Sequence, residues 1–107
     1  MLDLEIKRPN SLSTIGDSPA SKITVKIKNR LGLHGRAAGK LVTAAKPFRS
    51  KLFLVRDDRR ADVRSIMSLL TLECPYNTEV SLIGIGEDAE EAITVLAKII
   101  NDRFGEA

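Results

Sequence analysis

The chain has no tryptophan, one tyrosine and three phenylalanines, so any core it builds must be aliphatic. Cys74 is its only cysteine, which excludes an internal disulfide. His34 is its only histidine, so no Cys/His metal cage and no Ser-His-Asp or Cys-His hydrolytic set can be assembled. Cys74 itself reads as a small buried apolar residue rather than a reactive thiol. No apolar run approaches the roughly 20 residues of a membrane span, which argues against membrane insertion. The opening Met1-Leu2-Asp3-Leu4-Glu5 lacks the basic and apolar regions of a signal peptide, so a cytoplasmic location is expected. Charge of one sign is also scarce. The 17 basic and 14 acidic residues leave a net +3, too small and too evenly spread to point to nucleic acid.

What is present fits one soluble domain: 107 residues, 43% hydrophobic and 29% charged, enough for a single modest core. Residues 1–21 differ from the rest. Pro9, Asn10, Ser11, Ser13, Gly16, Asp17, Ser18 and Pro19 make a turn-rich stretch, read as a flexible N-terminal extension, although Leu2, Leu4 and Ile6 alternate as a short edge strand would. Residues 22–107 form the domain. Ile23, Val25 and Ile27 alternate with lysines and a threonine, the pattern of a half-buried strand. A helix follows on the stripe Ala37/Ala38, Leu41/Val42 and Ala45, with Pro47 expected to push Lys46 out of the helical region and end it.

Lys51–Val55 and Arg59–Val63 flank an Asp57-Asp58 turn as a hairpin, and Ser65 stands as N-cap of a short helix over Ile66–Leu72. Glu79–Ile85 reads as a fourth strand. A last helix carries the stripe Ala89, Ala92/Ile93, Leu96, Ile99/Ile100 and Phe104. Its expected caps are Asp88, with Glu91 completing a capping box, and Gly105 in a left-handed C-terminal cap. The order β-α-β-β-α-β-α predicts an α+β fold with helices over one face of an antiparallel sheet.

The stretch Asn29-Arg30-Leu31-Gly32-Leu33-His34-Gly35-Arg36-Ala37-Ala38 carries the chemistry. A lone histidine is usually unremarkable. This one lies between strand and helix, so its ring belongs at or beside a helix N-terminus, where free N–H groups and the macrodipole favour an anion and disfavour imidazolium. A neutral, nucleophilic ring at such a site suits a histidine that accepts and releases a phosphoryl group, and Arg36 can reach the same oxygens. The glycines on either side, Gly32 and Gly35, would give the backbone freedom for close approach to a ligand.

Ser65 reads as a plain cap or as a regulatory phosphorylation site. Ile66, Met67 and Leu70 are either all core or partly an exposed docking cluster, with the pattern evenly balanced between the two. Gly84-Ile85-Gly86-Glu87-Asp88-Ala89 matches a dinucleotide fingerprint. Glu87 and Asp88 would repel a pyrophosphate, and no βαβ unit follows, so that reading is rejected.

Two motifs, Asn29-Arg30-Leu31-Gly32-Leu33-His34-Gly35-Arg36 and Arg64-Ser65-Ile66-Met67-Ser68-Leu69-Leu70, resemble the HPr phosphocarriers of the bacterial phosphoenolpyruvate-dependent sugar phosphotransferase system. The resemblance covers about Ile23 to Glu106. It implies an open-faced β-sandwich, a four-stranded antiparallel sheet with three helices on one side. It implies that His34 takes a phosphoryl group on Nδ1 from phosphorylated enzyme I and passes it to a histidine of an enzyme IIA domain. Arg36 and the Gly35 and Arg36 N–H groups would hold the phosphate, with no cofactor or metal. Ile66, Met67, Leu70 and Lys46, with Arg36, would form the docking face. Ser65 matches the serine that a dedicated kinase modifies in some members, which brings a serine kinase/phosphorylase and a transcriptional regulator in as further partners. A monomer is expected.

This chain departs from the family at several positions. Gly35 stands where alanine is usual and Ala37 where proline is usual, so a looser phosphate cradle and slower transfer are expected. Ser68 and Glu73 each replace a glycine, and Asp62 stands where asparagine is common. The competing expectation keeps the fold but makes the protein a regulatory binding module controlled through Ser65.

Overall fold

The computed structural model describes residues 20–107. The expected N-terminal extension, with its Leu2, Leu4 and Ile6 alternation, lies outside the described residues apart from Ala20 and Ser21, which open the first strand. The elements are β1 (Ala20–Lys26), α1 (Gly35–Ala45), β2 (Lys51–Arg56), β3 (Arg59–Asp62), α2 (Ile66–Leu70), β4 (Glu79–Ile85) and α3 (Ala89–Asn101). A short 3₁₀ turn over Arg103–Gly105 follows.

The four strands form one antiparallel sheet in the order β1-β4-β2-β3. Its register places Ile23, Leu82, Leu54 and Ala61 in one row across all four strands, on the face the helices cover. The period of two turns Phe53, Ile83 and Arg60 to the open face, where the Arg60 guanidinium stacks 4.4 Å from the centre of the Phe53 ring. The core is aliphatic, led by Ile27, Leu41, Leu52, Leu54, Leu82, Ile93, Leu96 and Ile100, with Phe104 the only fully buried aromatic side chain among the described residues. The helices over one face of an antiparallel sheet expected from the element order, and the open-faced sandwich implied by the resemblance, are what is observed.

Several local expectations are corrected. Asp88 occupies the N-cap position of α3 but makes no side-chain cap bond. Its carboxylate instead accepts from the Arg49 N–H at 2.9 Å, the Ser50 N–H at 3.0 Å and the Ser50 hydroxyl. Two unpaired backbone donors at a bend, beside a buried serine, outcompete the helix's own first turn. Those three bonds hold the Asp88 carboxyl below the usual carboxylate range, the Ser50 hydroxyl contributing most.

Lys46 stays in the right-handed helical region (φ −56°, ψ −40°). α1 ends by tightening, with Lys46 N–H on Thr43 O and Phe48 N–H on Ala45 O. Phe104 is buried but outside α3, because the chain turns left-handed at Arg103, Phe104 and Gly105 (φ 59°, 55° and 74°). Gly84 brings α3 close: a Cβ there would lie 2.9 Å from that of Ala89. Close helix–strand packing therefore accounts for that glycine without a nucleotide.

Candidate functional site

His34 is the N-cap of α1, in extended conformation (φ −105°, ψ −178°), and its ring performs the cap: Nδ1 accepts from the Arg36 N–H at 3.2 Å. A turn tied by Gly32 N–H to Asn29 O delivers it there, and Leu33 N–H bonds Cys74 O at 2.8 Å. Gly32 is needed in this turn. Its φ is +72°, and a Cβ would fall 2.5 Å from Cys74 O. Gly35 is not needed in that sense, since a Cβ there meets nothing within 4 Å among the described residues.

The opposite ring nitrogen faces a carboxylate. His34 Nε2 lies 2.9 and 3.0 Å from the two Glu106 oxygens. Glu106 Oε1 also accepts from the Asn29 side-chain amide at 3.0 Å, and the same amide donates to Gly32 O at 2.6 Å. The Asn29 amide, then His34, hold the Glu106 carboxyl below its ordinary range, with Arg36 nearby adding to the effect. Since Nδ1 receives a backbone N–H and Nε2 meets carboxylate oxygens, the neutral ring carries its proton on Nε2 and leaves the Nδ1 lone pair toward the helix N-terminus. The imidazole is about one quarter exposed.

Neither Asn29 nor Glu106 emerges as a site residue from the sequence. Asn29 carried a signal, because it continues the inward phase of Ile23, Val25 and Ile27 and is fully buried. Its Oδ1 has no hydrogen-bond partner among the described residues. Glu106 carried none, since it lies 72 residues from His34 and reaches it through the left-handed turn.

Arg36 is exposed beside His34 and Gly35, so these three converge at the α1 N-terminus. Ile66 flanks the same helix, its Cδ1 3.9 Å from where a Gly39 Cβ would be. Ile66 and Met67 are 40% and 73% exposed, while Leu69 is buried and Leu70 half-buried against the core. The apolar cluster of α2 is therefore divided between surface and core. Lys46 is exposed at the far end of α1, a helix of eleven residues and about 16 Å, so it is not part of the phosphate-sized site. Ser65 Oγ accepts from Ser68 N–H at 3.1 Å, as an N-cap should. Arg64 is a further residue the sequence did not reveal. Its guanidinium donates to Ala45 O, Phe48 O and Ser50 O, joining the start of α2 to the end of α1.

A family model described as "PTS HPr component phosphorylation site" matches residues 21–102. The chain belongs to the HPr family. This HPr-family chain is 36% identical over 83 residues to the phosphocarrier protein NPr of Shewanella violacea, covering 78% of this chain and 91% of that one. It is 38% identical over 85 residues to the phosphocarrier protein HPr of Neisseria meningitidis, covering 79% and 96%. Among solved structures, HPr-C-His from Thermoanaerobacter tengcongensis superposes with a TM-score of 0.77 at 36% identity, over 81% of this HPr-family chain and 98% of that one.

Proposed function

We propose that this protein is a phosphocarrier of a phosphoenolpyruvate-dependent phosphotransferase system, with His34 the residue that carries the phosphoryl group. The observation that bears most weight is the ring's placement: Nδ1 at the start of α1 and Nε2 against Glu106. In the forward step the Nδ1 lone pair attacks phosphorus on phosphorylated enzyme I. The bond from phosphorus to the donor atom breaks, its electron pair leaving with the donor, and the Nε2 proton stays in place. The Gly35 and Arg36 N–H groups and the Arg36 guanidinium meet the phosphoryl oxygens. In the second step a histidine of an enzyme IIA domain attacks the same phosphorus and the pair returns to Nδ1.

Ile66 and Met67, with Leu70 behind them and Lys46 and Arg36 at the edges, supply the docking face used by both partners. The protein works in the cytoplasm as a monomer; no helix of the described residues is long and apolar enough to cross a membrane. A phosphate on Ser65, placed by a serine kinase/phosphorylase, would set negative charge beside Ile66 and Met67 and weaken that docking. The carrier reading is preferred to a purely regulatory module because the matching family model is described by a phosphorylation site of the phosphotransferase system and the relatives from Shewanella violacea and Neisseria meningitidis are phosphocarrier proteins.

Incubation with enzyme I and labelled phosphoenolpyruvate should give an acid-labile, base-stable phosphate on this chain, and none on His34→Ala. Equal labelling of His34→Ala would remove the proposal.

A further inference from the structure

The sheet stops at β1. Among the described residues no strand lies beyond it, since the order runs β1-β4-β2-β3. Ile27 N–H donates to Thr78 O at 2.8 Å and Asn77 N–H to Ile27 O at 2.6 Å, so residues in phase with Ile27 turn their backbone groups to the β4 side. By the period of two, Lys22, Thr24 and Lys26 turn theirs outward. Such a row of N–H and C=O groups is a template for one more strand.

The core is also incompletely covered along this edge. Ile27 is 0% exposed and Val25 9%, but Ile23 is only half-buried, although Leu82, Leu54 and Ala61 in the same row are sealed. An open hollow there is lined by Ile23, Val25 and Lys26 of β1 and by Asn101 at the end of α3.

The sequence holds a segment of matching pattern. Residues 1–19 lead into Ala20, the first residue of β1, so they are tethered at this edge. Leu2, Leu4 and Ile6 alternate with Asp3 and Glu5, as Ile23 and Val25 alternate with Lys22, Thr24 and Lys26. An antiparallel strand with Leu4 facing Ile23 and Leu2 facing Val25 lays its apolar row on the helix-covered side. The same register lays Glu5 against Lys22, whose partner on β4 is the apolar Ile83, and Asp3 against Thr24, diagonal to both Lys22 and Lys26.

The neighbouring registers fail. A slip of one residue turns Leu2, Leu4 and Ile6 to the open face. A slip of two sets Lys7 against Lys22 in one direction; in the other it sets Ile6 against Pro19, which cannot donate to a ladder. In the favoured register Pro9 and Pro19 fall outside the paired residues, in a connection over 8–19 rich in turn formers.

We infer that Leu2–Ile6 docks on the outer edge of β1 as a fifth, antiparallel strand, so that the chain's own N-terminal segment closes the sheet. The segment is acidic on the side that meets lysines and apolar on the side where Ile23 is left uncovered. A second copy pairing edge to edge fits less well, because antiparallel β1 strands centred on Thr24 would set Lys22 against Lys26. The inference stands apart from the carrier reading for His34.

Proton NMR of the full chain should show Hα–Hα contacts between Leu4 and Ile23 and between Leu2 and Val25, the close pairs of such a ladder. The Lys22 and Thr24 N–H groups should exchange slowly with deuterium. In Leu4→Asp both should exchange roughly tenfold faster, the scale of a lost backbone hydrogen bond, while the Ile23 and Val25 N–H groups keep the parent's rates. Glu5→Lys should speed exchange at Thr24, and Glu5→Lys combined with Lys22→Glu should restore it, since the two charges have changed places.

Lys22 and Thr24 N–H groups that exchange at free-peptide rates in the parent would overturn the inference, as would a double variant that restores nothing. Contacts of Leu2 and Leu4 with Phe53 and Ile83 would overturn it by placing the segment on the open face. Protection that grows with protein concentration would overturn it by placing a second copy on the edge.

Discussion

Two glycines flank Leu33-His34, and the structure gives them opposite roles, which makes their alanine variants a sharp test. At Gly32 the backbone is left-handed (φ +72°), a conformation that costs an L-residue about 1–2 kcal/mol. A Cβ there would lie 2.5 Å from Cys74 O and 2.9 Å from Pro75 Cα, both backbone atoms that cannot swing aside. Cys74 O must then move, and it is the acceptor for Leu33 N–H at 2.8 Å, a bond worth about 1 kcal/mol. Against this, alanine restricts the unfolded chain by about 0.4–1 kcal/mol. Gly32→Ala should therefore destabilise by about 1–2.5 kcal/mol, lowering the melting temperature by roughly 5–20 °C for a domain of this size. It should also displace His34 from the helix end.

Gly35, at the first position of α1, has no neighbour among the described residues within 4 Å of an added Cβ, so Gly35→Ala should gain up to about 1 kcal/mol from helix propensity. Paired urea titrations with a common m-value measure both. A Gly32→Ala variant as stable as the parent, or a Gly35→Ala variant as damaged as Gly32→Ala, would refute the reasoning.

Three further outcomes are expected. Glu73 is exposed at φ +54° just beyond α2, so Glu73→Gly should raise stability by about 0.5–1 kcal/mol in the same titration; a loss would show that the left-handed strain has been misjudged. Asp88 and Glu106 both have folded pKa values below their ordinary 3.8 and 4.5, so their stabilisation is complete above those values and drains away as pH falls through the lower folded ones. Acid titration of stability should accordingly be flatter in Asp88→Asn than in the parent, and an unchanged slope would count against the Asp88–Ser50 bonds. Cys74 is buried and burial pushes its thiol up, so iodoacetamide at pH 8 should modify the native protein far more slowly than the urea-unfolded one. Comparable rates would place the thiol at the surface.

Much of this architecture was legible because its elements have clean periods. β4 has the bounds that its alternation predicts, Glu79–Ile85, and the hairpin turn at Asp57-Asp58 is where the acidic pair signals it. His34 at the head of α1 followed from strand, turn and helix signals in a row. The parts that escaped depend on partners distant in sequence. Asp88 looked like a local cap until the Arg49–Ser50 bend, 38 residues away, offered it better donors. Arg64 closes the carbonyl end of α1 through Ala45 O, Phe48 O and Ser50 O, partners 14 to 19 residues away.

The turn after α3 hid most completely. Its left-handed residues include Arg103 and Phe104, whose side chains give no warning of that conformation, and only such a turn returns Glu106 to His34. Asn29 is the case where a polar residue in the buried phase of a strand could have been read as a site residue.

The central claim is that His34 relays a phosphoryl group rather than merely binding one. The most direct measurement is a chase: label the chain with enzyme I and radioactive phosphoenolpyruvate, remove the donor, then add an enzyme IIA domain and follow the label. Radioactivity should leave this chain and appear on the IIA domain in equal amount. Label that stays on the chain, or is released only as inorganic phosphate in the presence of competent IIA domains, would contradict it.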